Sequence, residues 1–232
     1  MITVTALDDL GHFKNEWLEA RHHFSFADYM DPDRMGLGAL RVWNDDTIQP
    51  GGEFPPHPHR DMEIITFLRR GAITHEDNLG NRGVTTAGNV QVMSAGTGIM
   101  HSEANQEDDV TTLFQIWILP AERNITPRWE TREFPGDSRS GHLHALASGR
   151  PGDDGALKIY QDAAVMGATL SLGEEIIHGL PGGRQAYLVP ARGEITVNGI
   201  AVSERAGVAV NDEDTITLTA VTESEVVLVD VA

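Results

Sequence analysis

Short β-branched and apolar runs, each stopped after a few residues by glycine, proline or an Asn/Asp turn, recur along nearly the whole chain. That punctuation leaves no room for a fold built on long helices. Residues 63–68 run into Arg69-Arg70-Gly71, and residues 72–77 run into Asn78-Leu79-Gly80-Asn81, which has the composition of a hairpin turn. Residues 90–93 and 111–119 follow, the latter closed by Pro120. A stretch marked by Pro127, Pro135 and Arg150-Pro151-Gly152-Asp153-Asp154-Gly155 then interrupts the rhythm. Strands resume at 157–160, 168–172, 185–189, 194–197, 215–219 and 225–229, and the run into Arg192-Gly193 echoes the run into Arg70-Gly71. The pattern predicts an all-β chain of two similar antiparallel domains, residues 1–134 and 135–232, with little helix. One short helix is predicted near residues 11–21, where Phe13, Trp17 and Leu18 fall at near-helical spacing, and a strand at 40–44 is expected to stop at Asp45-Asp46.

Composition removes several classes of function. The formal charge of −18, from 17 basic and 35 acidic residues, argues against direct contact with a nucleic-acid backbone or an anionic membrane. The absence of cysteine excludes disulfides, thiolate metal sites and thiol redox switching. No stretch approaches the roughly 18 apolar residues of a membrane span, and the chain opens without a basic, apolar leader, so a cytoplasmic location is expected.

The chemistry concentrates between residues 51 and 105. His57 and His59 stand two apart, as do His101 and Glu103. On a strand that spacing puts both members of a pair on one face, and two such strands side by side would aim three imidazoles and a carboxylate at a common point. Neutral imidazoles with one carboxylate suit Fe(II), Mn, Co, Ni, Cu or Zn. Structural zinc usually recruits cysteine, so the composition tilts the site toward catalysis or sensing. His142 and His144 share the spacing but have no second pair with a matching carboxylate, and are read as surface residues. His75 is read as a hairpin or surface histidine, and His178 as having no partner. Trp43, Trp117 and Trp129 read as core; Phe54, Met62, Met93 and Phe114 are candidate pocket walls.

Gly51-x5-His57-x-His59-x3-Glu63-x7-Gly71 resembles the first cupin motif, and Gly88-x5-Ser94-x-Gly96-x4-His101-x3-Asn105 is similar to the second, with Ser94 in place of the usual proline. His57-Pro58-His59-Arg60-Asp61-Met62-Glu63, Met93-Ser94-Ala95-Gly96-Thr97-Gly98-Ile99-Met100-His101-Ser102-Glu103 and Gln115-Ile116-Trp117-Ile118 resemble the pirin family, with further similarity over nearly the whole chain. The resemblance implies two jelly-roll-like β-barrel (cupin) domains packed face to face, with one divalent transition metal, Fe(II) favoured, in the first alone. By motif position it implies the ligands His57, His59, His101 and Glu103. Most cupins place their carboxylate ligand at the position of Glu63, which is left here with a supporting role, such as orienting a ligand histidine. It further implies a quercetin 2,3-dioxygenase, cleaving a small aromatic flavonol with O2 and releasing CO, with Glu103 as base. The alternative it implies is a metal-binding regulator of a partner protein, acting as a transcription cofactor, metabolic-enzyme regulator or metal redox sensor. A monomer is expected.

Overall fold

The computed structural model describes residues 1–134 and 139–232. Their regular structure is strand, apart from short 3-10 turns such as Leu7–Asp9 and Pro181–Gly183. Four sheets form two units of one design. In the first unit a seven-stranded sheet has the spatial order Arg128–Arg132, Val90–Ser94, Glu63–Arg70, Thr111–Ile118, Leu40–Ile48, Leu18–His22, Gly11–Lys14. Its companion is a four-stranded sheet ordered Glu53–His59, Ile99–Ala104, Ala72–Asp77, Arg82–Thr86. The second unit repeats this plan. Its large sheet runs Ile2–Thr5, Gly207–Val210, Gln185–Arg192, Ser224–Val231, Ala163–Leu170, His144–Ser148, Leu157–Lys158, and its small sheet Glu175–Gly179, Thr215–Ala220, Ile195–Val197, Ile200–Val202. Each unit is a jelly-roll-like pair of sheets rather than a closed barrel.

Strand alternation divides the labour between faces. Trp43, Phe67, Phe114 and Ile116 from the first large sheet pack with Leu146, Val165, Val189 and Val229 from the second, so the largest core lies between the units. The opposite face of the second large sheet is also apolar, with Leu188, Val208, Leu228 and Met166 meeting Ile216 and Leu218 of the small sheet. In the first unit the corresponding inward positions include Asn44, Asp46, Thr66, Gln91 and Gln115. A polar interior of that kind is expensive unless it serves a site.

Several expectations change. The helix predicted over 11–21 is instead a hairpin, Gly11–Lys14 against Leu18–His22, whose turn is held by the Asn15 side chain accepting from the amides of Trp17 (3.0 Å) and Leu18 (2.7 Å). The near-helical spacing arose because Phe13 is exposed on one arm while Trp17 turns back to pack edge-on against Phe54, ring centroids 5.0 Å apart. The strand expected to stop at Asp45-Asp46 runs on to Ile48, because both carboxylates are buried within it. Asp45 faces the other unit and accepts from Arg69 of its own unit and from Arg205 of the other, the latter at 2.5 Å. The stretch 120–157 contributes Arg128–Arg132 to the first unit and His144–Ser148 to the second. The predicted boundary at 134/135 adjoins residues 135–138, which lie outside the described residues. The strand Ile2–Thr5 pairs with Gly207–Val210 and so completes the sheet of the second unit.

Candidate metal centre

The small sheet of the first unit brings the two predicted ligand pairs together. Glu53–His59 and Ile99–Ala104 are antiparallel neighbours with His101 opposite His57. The rings of His57, His59 and His101 lie 4.5 to 5.0 Å apart, centroid to centroid, and each offers a nitrogen within 4.8 Å of the others. Nε2 of His57 and Nε2 of His101 are 3.1 Å apart. His57 Nδ1 lies 2.8 Å from the carbonyl oxygen of Pro55, which can only accept, so Nδ1 carries the ring proton and Nε2 presents a lone pair toward His101. Burial, then the neighbouring His57, pulls His59 down to about 4. Burial, followed by His57 and His59, takes His101 down to about 2. Three imidazoles converging on one point, with His59 and His101 kept from protonating, are a donor set that suits a borderline divalent cation.

Glu103 stands just behind this trio. A bulge between His101 and Glu103 places Glu103 opposite Phe54, and its carboxylate groups with His101 and His75 rather than with all three histidines. Gln91 donates to one oxygen at 2.5 Å and Gln115 to the other at 2.9 Å. Burial pushes Glu103 up to about 7 against the pull of these two hydrogen bonds. The carboxylate nevertheless opens on the same cavity as His57 and His59. This cavity, about 320 Å³, is walled by Phe26, Phe54 and Trp117 and is also lined by Asn44, His22 and Asp46. Trp117 stands edge-on to His59 at 4.9 Å, and Phe26 edge-on to Trp117 at 5.3 Å.

Trp117, read as core, walls the cavity, and Phe26, His22, Asn44, Gln91 and Gln115 were not singled out from the sequence; His75 and Asp46 escaped it as well. His75 is not a surface histidine: its side chain is fully buried, with Nδ1 3.4 Å from Nδ1 of His101. Its strand is sandwiched between Ile99–Ala104 and Arg82–Thr86, a placement that no local pattern reveals. Asp46 reaches the cavity from the large sheet, with one carboxylate oxygen lacking any partner. Burial, then Asp45 and Glu103, holds its carboxyl well above the usual range.

The remaining predicted residues sort clearly. Glu63 is buried, but it accepts from Ser94 Oγ at 2.6 Å and from the backbone amide of Tyr160, not from a ligand histidine. The serine that replaces the usual cupin proline is therefore its partner. His142 is exposed, and neither it nor His144 joins a potential ligand group among the described residues. His178 has a partner after all, Asp230 at 2.9 Å, which Arg150 and Arg184 also engage. Trp43 and Phe114 are core, Met62 and Met93 pack around Ile64, and Trp129 stacks on His75.

Glu63 yields a pH prediction. Burial raises its carboxyl to about 7 against the hydrogen bonds from Ser94 and Tyr160. A folded value above the unfolded one means that the protonated form favours folding. Its contribution is full below about pH 4.5 and is lost as pH climbs through 7, a swing of about 3 kcal/mol at most. Glu63→Gln keeps an acceptor but cannot ionise. Urea unfolding at pH 5 and pH 8 should show the variant gaining on the wild type at pH 8 by about 2 kcal/mol. An equal difference at both pH values would show that the Glu63 carboxyl binds its proton no more tightly in the folded protein than in the unfolded chain.

Comparison with known proteins converges on one group. Residues 4–118 match the Pirin family model, and residues 145–231 match a model described as the quercetinase C-terminal cupin domain. A Pseudomonas aeruginosa protein provisionally named a quercetin 2,3-dioxygenase is 57% identical over 232 residues, covering 100% of both chains. A pirin-like protein of Caulobacter vibrioides is 54% identical, again over 100% of both. The quercetin 2,3-dioxygenase of Escherichia coli K12 is 42% identical, over 99% of this chain and 98% of its own. Among solved structures, the bacterial pirin YhhW of E. coli in complex with nickel(II) superposes with a TM-score of 0.94 at 40% identity, covering 100% of this chain and 99% of its own. With two matched cupin units, the repeated sheet plan and full-length relatives, the chain belongs to the pirin family.

Proposed function

We propose that the chain is a metal-dependent dioxygenase that opens the heterocycle of a flavonol of the quercetin type. In this reading His57, His59, His101 and Glu103 hold one divalent ion, iron(II) being the ion proposed. The observation that carries it is the convergence of three imidazoles beside a buried carboxylate, on an aromatic-walled cavity. When bound, such an ion supplies Lewis acidity and an electron path between substrate and O2. The protein's own groups do the rest. Phe26, Phe54 and Trp117 enclose a flat ring system and exclude water, in a cavity at the lower end of the roughly 300–1,000 Å³ usual for small ligands. Glu103 takes the proton of the flavonol 3-hydroxyl, its raised basicity bringing it near the operating pH. Gln91 and Gln115 hold its two oxygens in place for that transfer. Asn44, hydrogen-bonded to His22 at 2.8 Å, and Asp46 offer polar contacts for hydroxyls on the remote ring. The names carried by the E. coli and P. aeruginosa relatives support the substrate class, and the nickel complex of YhhW supports the metal.

The test follows O2 uptake and CO release with quercetin, using metal-reconstituted protein and a His59→Ala variant. Turnover that requires metal and is lost with His59 is the expected result. A protein that binds metal tightly yet releases no CO would overturn the dioxygenase reading and favour a metal-binding regulator of a partner protein.

A further inference from the structure

We infer that His75 and Asp77 form a positioning relay behind His101, fixing which nitrogen of that ring is free to bind metal. The inference rests on the metal-binding part of the proposed function and not on the dioxygenase chemistry.

The chain of donors and acceptors can be followed from its far end. The Asp77 side chain is fully buried and surrounded by donors. Its Oδ1 accepts from the amides of Leu79 (2.9 Å) and Asn81 (3.0 Å), and its Oδ2 from the Asn81 side chain (2.9 Å). Burial alone would raise its carboxyl, but hydrogen bonds from Asn81, His75 and Leu79 outweigh it and leave it below the ordinary value, so it is an ionised, acceptor-only group. His75 Nε2 lies 3.1 Å from Asp77 Oδ2 and must therefore donate. A neutral imidazole that donates from Nε2 is an acceptor at Nδ1. Facing it at 3.4 Å is Nδ1 of His101, which must then carry the His101 proton. That assignment leaves His101 Nε2 with its lone pair directed at His57 Nε2, the nitrogen that the Pro55 carbonyl leaves free in the neutral His57 ring by holding the proton on Nδ1. Two facing lone pairs 3.1 Å apart repel unless a cation lies between them.

The ring plane of His75 is fixed as well. It stacks on Trp129, centroids 4.8 Å apart and 6° from parallel. The indole fits because Gly83, opposite His75 in register, has no Cβ; one built there would lie 2.3 Å from the ring. A metal-bound histidine held through its second nitrogen by a carboxylate chain is a general way to set tautomer and basicity, and loss of such a partner typically weakens metal binding about 10–100-fold. Here an extra imidazole lengthens the chain.

The experiment compares wild type, His75→Phe and His75→Gln. Nickel(II) dissociation constants are measured by chelator competition, and histidine tautomers by 15N NMR of the metal-free proteins. The expected result is an Nδ1-protonated His101 in the wild type and mixed tautomers in His75→Phe, with nickel binding weakened about 10–100-fold. His75→Gln, which can accept from His101 and donate to Asp77, should recover most of the loss. An Nε2-protonated His101 in the wild type, or unchanged nickel affinity in His75→Phe, would overturn the relay. So would a glutamine variant as damaged as the phenylalanine one, which would make His75 a metal ligand itself. If the wild type took up no nickel, the metal reading would fall, and the tautomer measurement on wild type would still decide the relay.

Discussion

Replacing Asp45 with alanine is expected to destabilise the protein by about 3–5 kcal/mol and to lower its melting temperature by about 6–20 °C. Asp45 sits on Leu40–Ile48 with no exposed surface, between Arg69 of its own unit and Arg205 of the other. Arg69 is itself nearly covered, lying over the Phe114 ring at 4.5 Å, and its Nε already lacks a partner. Without the carboxylate, two cations would face each other across the interface with nothing between them. The loss exceeds the net worth of the intact ion pairs, because most of it is the cost of a stranded buried charge. Asp45→Asn, which retains one acceptor oxygen, should fall between the alanine variant and the wild type. Thermal and urea unfolding would check both. A melting temperature for Asp45→Ala within 2 or 3 °C of the wild type, on the scale of about 2–4 °C per kcal/mol, would show that water replaces the carboxylate and that the units are held by apolar packing alone.

What the sequence made legible was what strand periodicity encodes. His57 with His59, and His101 with Glu103, share faces because side chains alternate, so their spacing pointed to a common site before the sheet order was known. Repetition of strand and turn likewise foreshadowed two like units. What stayed hidden depends on pairing between distant segments. His75 becomes a neighbour of His101 only because Ala72–Asp77 lies beside Ile99–Ala104, and the buried partner of His178 is Asp230, 52 positions away. The hairpin at Gly11–His22 was misread because Trp17 folds back at a turn that Asn15 closes, so that three apolar residues imitate a helical stripe. Asp45 and Asp46 looked like the end of a strand. One is neutralised by Arg69 of its own unit and Arg205 of the other, and the other has its carboxyl raised by burial beside a cavity; neither circumstance is visible in a local window. The bulge after His101 was equally silent, and it is what sets Glu103 back from the three imidazoles.

That setback gives Glu103 its sharpest test. Glu103→Ala is expected to lower CO release from quercetin by about 10²–10⁴-fold, the usual worth of a positioned general base. The two amides around it have little freedom to reorient. The Gln91 oxygen accepts from Thr85 at 3.1 Å and from Trp129 at 3.3 Å, and the Gln115 oxygen accepts from Trp117 at 3.0 Å. Both amide nitrogens are thereby committed to Glu103, which must meet them as an acceptor. Glu103→Gln would turn an NH2 group toward one of these donors, so it should be no better than alanine in activity and should also lose stability. The role of ligand and the role of base separate when metal is varied. Three histidines remain in Glu103→Ala, so raising the metal concentration should restore occupancy, measured by metal analysis after desalting, without restoring turnover. Recovery of turnover to within about threefold of the wild type at full occupancy would make Glu103 a ligand and nothing more, because a missing base costs at least about a hundredfold. The proton of the substrate hydroxyl would then have to leave by another group, and Asp46, the other buried carboxyl on the cavity, would be the next residue to replace.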